Sequence, residues 1–317
     1  MRTIVVGTRK SELALTQTQA VVAQLEQICK EKNLPYRFEL KKIVTRGDRI
    51  LDVTLSKVGG KGLFVKEIEQ AMLDGEVDMA VHSMKDVPSA LQPGLTLAAT
   101  TEREDPRDCL VSADGKKLDE LPQGATIGTS SLRRTSQLKA YRPDLNIVFV
   151  RGNIGTRIAK IEQEGLDGVI LAAAGLKRVG WEERISDYLS TDISLPAVGQ
   201  GALGIECREN DEEVLQLLQH INDPRTSKAV RAERTLLHAL NGGCQVPIAA
   251  YAVLKDNPDA EGDEIEMSAM VGSPDGTELI RRTLHGSDPE QLGLEMARLL
   301  LKEGADRLLK EAGVELP

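Results

Sequence analysis

Residues 77–88 read VDMAVHSMKDVP, an apolar run (77–81) that ends in a short polar loop. Valine, alanine and methionine in that run are typical of a strand buried on both faces of an α/β sheet. The polar residues that follow lie where this strand leaves the sheet, and ligands of open α/β sheets bind beyond the carboxyl ends of strands. Asp86 is therefore the first candidate for a catalytic residue, with a plain loop aspartate or a turn cap as the alternative.

Landmarks around this stretch occur twice, in the same order. The turn Gly7-Thr8 and the turn Gly128-Thr129 each join a strand to a helix, and the run 46–48 (RGD) is echoed by 151–153 (RGN). These landmarks predict two α/β domains of similar topology, although short strings also match by chance. In this alignment Asp86 corresponds to Arg178, so the two residues are expected to face each other across a shared cleft.

The remaining segments predict a hinge and a third domain. A short strand at 202–206 is expected to rejoin the first sheet, which gives two crossings between the domains, the arrangement of a hinge. Two helices, a tight loop at 241–247, three strands and one final helix at 291–311 then form a smaller α+β domain. The predicted boundaries are 1–101 with 200–220 for domain 1, 105–195 for domain 2 and 222–317 for domain 3.

Composition limits the classes of function. The chain has 317 residues, of which 41% are hydrophobic and 28% charged, enough for several cores. Its net charge of −9 argues against binding to nucleic acid or to an anionic membrane. No apolar segment approaches the length of a membrane span and the chain starts directly as a strand, so we expect a cytoplasmic protein. The four cysteines and four histidines show no disulfide or metal-ligand spacing, so we expect no metal.

Arginines nevertheless recur in loops beside glycines. Arg9 lies near Ser11, a candidate helix N-cap, and the free N–H groups of a helix start bind anions. A second helix start carries three hydroxyl residues at 129–131 (TSS) and two arginines, Arg133 and Arg134. Arginine at this position opposes the helix dipole, so the pair predicts an anionic partner, with solvated surface charge as the alternative.

Two further loops carry candidate residues. The glycine-rich loop at 57–62 lacks P-loop spacing, and we predict a mobile segment in which Lys57, Lys61 and Phe64 reach a ligand. Cys244 follows two glycines, a setting unlike that of the other three cysteines. It is a candidate nucleophile or attachment site, although no catalytic histidine is visible beside it and an inert loop cysteine is the alternative.

Nine runs taken together resemble the porphobilinogen deaminase family, which belongs to haem biosynthesis. They are TRGD (45–48), KVGGKGLFV (57–65), AVHSMKDVP (80–88), REDPRD (103–108), GTSSLRR (128–134), RGNIGTR (151–157), AGLKR (174–178), LPAVGQG (195–201) and GGCQVP (242–247). They span both predicted α/β domains and reach into the third, and several run to seven residues or more.

The resemblance implies a transferase whose first two domains are similar to periplasmic binding proteins. Family members hold a dipyrromethane cofactor through a thioether to the cysteine that matches Cys244. Four porphobilinogens are joined to it head to tail with loss of ammonia, and hydroxymethylbilane is released by hydrolysis. The alternative is a non-catalytic, hinge-closing polycarboxylate-binding protein.

The resemblance also implies roles for single residues. Asp86 would contact pyrrole nitrogens and stabilise the azafulvene cation formed as ammonia leaves, and Lys57, Lys61 and Phe64 would lie on a mobile active-site loop. The acetate and propionate groups would be held by Arg9, Ser11, Lys85, Thr129, Ser130, Ser131, Arg133, Arg134, Arg151, Arg157 and Arg178. The expected partner is porphobilinogen alone, and the expected oligomeric state is a monomer.

Overall fold

The computed structural model describes residues 1–45, 47, 65–243, 246–256 and 264–314. The strands are β1 (Arg2–Arg9), β2 (Tyr36–Ile43), β3 (Met79–Ser83), β4 (Leu95–Thr100), β5 (Asp108–Ser112), β6 (Thr126–Gly128), β7 (Asn146–Val148), β8 (Gly168–Ala172), β9 (Asp187–Tyr188), β10 (Leu203–Arg208), β11 (Ile248–Lys255), β12 (Glu264–Gly272) and β13 (Leu279–Gly286). The α-helices are α1 (Glu12–Lys32), α2 (Lys66–Leu73), α3 (Leu132–Tyr141), α4 (Ile154–Gln163), α5 (Ala173–Arg178), α6 (Glu212–Leu218), α7 (Pro224–Ala239), α8 (Pro289–Lys302) and α9 (Ala305–Glu311).

Two five-stranded sheets share one arrangement. Their strand orders are β2-β1-β3-β10-β4 and β7-β6-β8-β5-β9. In each sheet the first three strands are parallel, and the fourth runs antiparallel to the third and to the fifth. The α/β class is thereby confirmed, with the sheet of each half built on the same plan. Helices α1 and α3 follow corresponding strands, β1 and β6.

The chain passes between these two sheets twice. The first crossing (101–107) leads from β4 to β5, and the second crossing (196–202) leads back to β10. This strand rejoins the first sheet as the sequence predicts, and the structure places it between β3 and β4. The crossings touch, because Glu104 N donates to Gly201 O at 3.1 Å. Gly201 has φ +93°, and a Cβ there would collide with the Glu104 carbonyl oxygen, so only glycine fits this approach.

Local sequence explains the helix starts nearest the carboxyl ends of the strands. Ser11 caps α1 by accepting from Ala14 N, and Ser131 caps α3 by accepting from Arg134 N, each at 3.4 Å. The buried face of α1 includes Val21 and Leu25, which pack on the first sheet. These caps and contacts fix the helix N-termini beside the strand ends.

A third, antiparallel sheet has the order β11-β12-β13 and is packed against α7 and α8. The prediction of one final helix at 291–311 is wrong, because α8 ends at Lys302 and α9 starts at Ala305. Gly304 between them has φ +101°, a left-handed conformation that interrupts an α-helix. The polar run after β3 is also more ordered than predicted, since Met84–Asp86 forms a 3₁₀ turn.

Candidate active site

One cavity of about 560 Å³ lies where the three sheets meet. Asp86 reaches it from the 3₁₀ turn after β3, and Arg178 from the end of α5, which follows β8. Ile248, the first residue of β11, contributes from the third sheet. The cavity therefore lies beyond the carboxyl ends of corresponding strands, the position at which α/β sheets bind ligands.

The charges on the cavity wall have one predominant sign. Among the described residues, eight basic side chains and one carboxylate, that of Asp86, line it. The basic residues are Arg9, Lys10, Lys85, Arg133, Arg134, Arg151, Arg157 and Arg178. A chain of net charge −9 thus builds a strongly positive concave surface, which favours an anionic ligand.

Three cations of this wall are half-buried, and this partial burial lowers their pKa values. Burial and the neighbouring Arg134 lower the pKa of Lys85 to about 8, although Asp86 opposes this shift. Burial, Arg134 and Arg151 likewise lower the pKa of Arg157 to about 10, again against the effect of Asp86. Burial also lowers the pKa of Arg178. Anionic groups entering the cavity would relieve this repulsion.

Arg133 and Arg134 have an anionic partner within the chain itself. Both guanidinium groups contact the fully buried carboxylate of Asp108, at 2.7 Å from Arg133 Nη1 to Oδ2 and 2.7 Å from Arg134 Nη2 to Oδ1. The sequence led us to expect a ligand in this role. Both arginines also line the cavity, so each one pairs with Asp108 and still forms part of the cavity wall.

The hydroxyl residues divide into two groups. Ser11 and Ser131 line the cavity while serving as N-caps. Thr129 and Ser130 are absent from the described lining, and Thr129 is buried, with Oγ1 accepting from Ser131 N at 3.2 Å. Thr129 thus shapes the turn before α3.

Four predicted site residues, Lys57, Lys61, Phe64 and Cys244, lie outside the described residues. The residues that flank the unplaced pair 244–245 are Gly243 and Val246, and both line the cavity.

Other titratable groups have ordinary structural settings. His82 is buried, with Nε2 at 3.0 Å from Glu206 Oε2. Cys29, Cys109 and Cys207 are buried thiols. In the part of the chain that the structure describes, no cluster of His, Cys, Asp or Glu is arranged to hold a metal ion. Within the same residues, no helix is long and apolar enough to span a membrane.

Two family models cover most of the chain. Residues 4–216 match the cofactor-binding domain of porphobilinogen deaminase, which binds dipyrromethane, and residues 227–302 match its C-terminal domain. The chain belongs to the porphobilinogen deaminase family. The predicted family, its transferase class and its dipyrromethane cofactor are thereby confirmed.

Relatives in this family match over nearly their whole length. The chain is 58% identical to a porphobilinogen deaminase of Halalkalibacterium halodurans over 312 residues, which cover 98% of this chain and 97% of that protein. It is 59% identical to one of Paenibacillus macerans over 317 residues, which cover 96% and 98% respectively. These relatives are named as enzymes, so the predicted alternative, a non-catalytic binding protein, gains no support from them.

The sequence missed two polar residues that bear on the cavity. Gln200, in the second crossing, lines the cavity wall and accepts a hydrogen bond from Lys85. Asp108 is not among the lining residues, but it accepts a hydrogen bond from Gln200. Both fall inside runs that resemble the family, LPAVGQG and REDPRD, but neither run by itself shows that the two side chains meet.

Proposed function

We propose that this cavity is where the chain binds dipyrromethane and joins porphobilinogen units, with Asp86 as the catalytic residue and Cys244 as the attachment site. The observation that carries the proposal is the single carboxylate among eight basic side chains on the described wall, beside the residues that flank Cys244. A ligand rich in acetate and propionate groups is the chemistry that such a wall complements.

The residues present fit the cofactor. Arg9, Arg151, Arg157 and Arg178 offer guanidinium groups that match carboxylates in shape and charge. The lowered pKa values of Arg157 and Arg178 support a site whose cations gain from an added anion. When bound, the dipyrromethane would supply the pyrrole carbon to which the first porphobilinogen is joined.

Asp86 is suited to stabilise positive charge on the substrate. It lies on a short turn beside Lys85, on a described wall that otherwise carries only basic charges. Its carboxylate would accept a hydrogen bond from the pyrrole N–H of porphobilinogen and stabilise the cation that develops as ammonia departs. Because positive charge on the substrate grows as ammonia leaves, a fixed carboxylate would bind the transition state more strongly than the ground state. This difference in binding is the requirement for catalysis.

The remaining predictions form part of the same proposal. Lys85, Arg133, Arg134, Ser11 and Ser131 would add to carboxylate binding from the described wall, and Thr129 and Ser130 would add to it from the turn before α3. Lys57, Lys61 and Phe64 would lie on a mobile loop. Domain 1 would comprise 1–101 and 200–220, domain 2 105–195 and domain 3 222–317. The chain would act as a cytoplasmic monomer, with porphobilinogen as its substrate and without nucleic acid or membrane partners.

The substitution Asp86→Asn tests this function. Asparagine keeps the size of the side chain but removes its charge, so we expect kcat to fall by about a hundredfold or more, with little change in KM for porphobilinogen. Product formation and the trapping of enzyme-bound intermediates would measure the loss.

Glu76→Gln is the matched control. Glu76 forms an exposed ion pair with Lys41 in the same sheet region, so its loss should leave both kinetic constants near the wild-type values. Near-normal turnover of Asp86→Asn would contradict the catalytic role.

A further inference from the structure

Asp108 collects hydrogen bonds from three separate segments of the chain. It opens β5 and is fully buried. Oδ2 accepts from Arg133 Nη1 and from Ser194 Oγ, each at 2.7 Å, and Oδ1 accepts from Arg134 Nη2 at 2.7 Å and from Gln200 Nε2 at 2.9 Å. Buried carboxylates with this many charge-assisted bonds are strongly fixed in position.

The charge of Asp108 keeps two adjacent arginines together. Arg133 and Arg134 lie in the first turn of α3, where they repel each other and oppose the helix dipole. Burial alone would raise the pKa of Asp108, but the two arginines outweigh it and hold that pKa well below its ordinary value. The carboxylate therefore stays ionised and neutralises one of the two positive charges.

Further contacts fix the orientation of both guanidinium groups. Arg133 Nη1 also donates to Leu195 O at 2.7 Å, and Arg134 Nη1 donates to Ile170 O at 2.9 Å. Each guanidinium is thus held between Asp108 and a main-chain carbonyl while it lines the cavity. Loss of the carboxylate would leave each group with only its carbonyl contact among these bonds.

The influence of Asp108 extends to the residue before Asp86. Gln200 Nε2 donates to Asp108 Oδ1 and, at 2.7 Å, to Pro106 O, so its amide nitrogen faces these two acceptors. Its oxygen Oε1 then faces Lys85 and accepts from Nζ at 3.3 Å. One carboxylate is thereby connected both to the arginine pair and, through Gln200, to Lys85.

We propose that Asp108 is a positioning residue for the reaction, which orients Arg133, Arg134 and, through Gln200, Lys85 toward the substrate carboxylates. The inference rests on the proposed function of the cavity. Asp108 lies behind the wall and touches no substrate, so its effect passes through the side chains that it holds. Because those side chains bind rather than react, their disorder should weaken binding more than it slows turnover.

The test compares Asp108→Asn with Asp144→Asn. Asparagine keeps the shape of Asp108 and removes its charge, so KM for porphobilinogen should rise by about tenfold or more, with a smaller fall in kcat. Asp144 pairs with Arg142 away from the cavity lining, and its variant should keep the wild-type KM. A purely structural role for Asp108 would reduce the amount of active protein, and therefore apparent kcat, at unchanged KM.

A binding measurement gives a second readout that does not depend on turnover. In a Cys244→Ser background, calorimetric titration with porphobilinogen should show that Asp108→Asn weakens binding by a similar factor. Wild-type KM and affinity in folded Asp108→Asn would overturn the positioning role. If Asp108→Asn does not fold, Ser194→Ala takes its place, because it removes one bond to Asp108 from outside the lining. Its KM should rise about threefold, and an unchanged KM would overturn the role.

The two proposals fail in distinguishable ways. A wild-type chain that does not convert porphobilinogen would contradict the proposed function. A wild-type chain that converts it, combined with an unaffected Asp108→Asn, would contradict the role of Asp108 alone.

Discussion

Arg157 illustrates how a residue proposed to bind the ligand can be costly to the fold. It is half-buried near Arg134 and Arg151, and its pKa falls to about 10 because burial and these like charges disfavour the protonated form. Its Nε donates to Gly152 O at 2.8 Å, which sets the direction of the guanidinium group. Such an arrangement is stable only to the extent that the rest of the fold compensates for it.

Replacing Arg157 by Gln should therefore separate binding from stability. We expect KM for porphobilinogen to rise by about tenfold, because one carboxylate partner is lost. In a Cys244→Ser background the melting temperature should stay equal or rise, because a repelled cation is removed. Arg142→Gln is the control, since it breaks the Arg142–Asp144 pair outside the cavity lining and should leave KM unchanged. A lower melting temperature with unchanged KM in Arg157→Gln would contradict this account.

Single residues also show the limit of sequence reasoning. Asp86 and Arg178 could be predicted as cavity residues because each follows the third strand of a repeated pattern. The partner of Arg133 and Arg134 could not, because Asp108 lies 25 and 26 residues earlier in the chain and only the folded sheet brings them together. Their position at a helix start predicts an anion but does not specify whether that anion is a ligand or a side chain.

Helix α7 connects the third sheet to both crossings. The fully buried Glu233 carboxylate accepts from Arg103 Nη2 at 2.8 Å in the first crossing and from Gly199 N at 2.7 Å in the second. It also accepts from Ala252 N at 2.8 Å in β11. A single side chain thus links both crossings to the third sheet.

Glu233→Gln should destabilise the protein strongly. The change leaves the buried Arg103 cation without its counter-charge, and breaking a buried pair in this way costs about 3–5 kcal/mol. Urea unfolding would measure the loss. Glu290→Gln removes the exposed partner of Arg231, a residue of α7. It should lower the free energy of unfolding by no more than about 1 kcal/mol. Equal stability of the two variants would show that the crossings do not depend on Glu233.

Elements were predicted well where a pattern is local. Ser11 was predicted as the N-cap of the first helix, and it accepts a hydrogen bond from the N–H three positions on, so sequence alone suffices there. The break between α8 and α9 was missed because the apolar pattern continues across Gly304. A glycine inside a helical pattern is the signal that could have revealed it.

At the scale of the whole molecule, the repeat in the sequence corresponds to two sheets of one strand order. The return of β10 to the first sheet was predicted, since a short strand follows the turn at 196–201, but its position between β3 and β4 was not. The meeting of the third sheet with the cavity, through Ile248, depends on packing between distant segments, and periodicity carries no information about it.

The central claim is that this basic cavity works on a ligand tethered at Cys244. Intact-mass measurement under denaturing conditions tests it most directly, on the wild-type chain and on Cys244→Ser. We expect the wild type to exceed its sequence mass by one dipyrromethane, to gain further pyrrole units after brief exposure to porphobilinogen, and Cys244→Ser to match its sequence mass under both conditions. A folded wild type at its bare sequence mass, or an adduct retained in Cys244→Ser, would contradict the account.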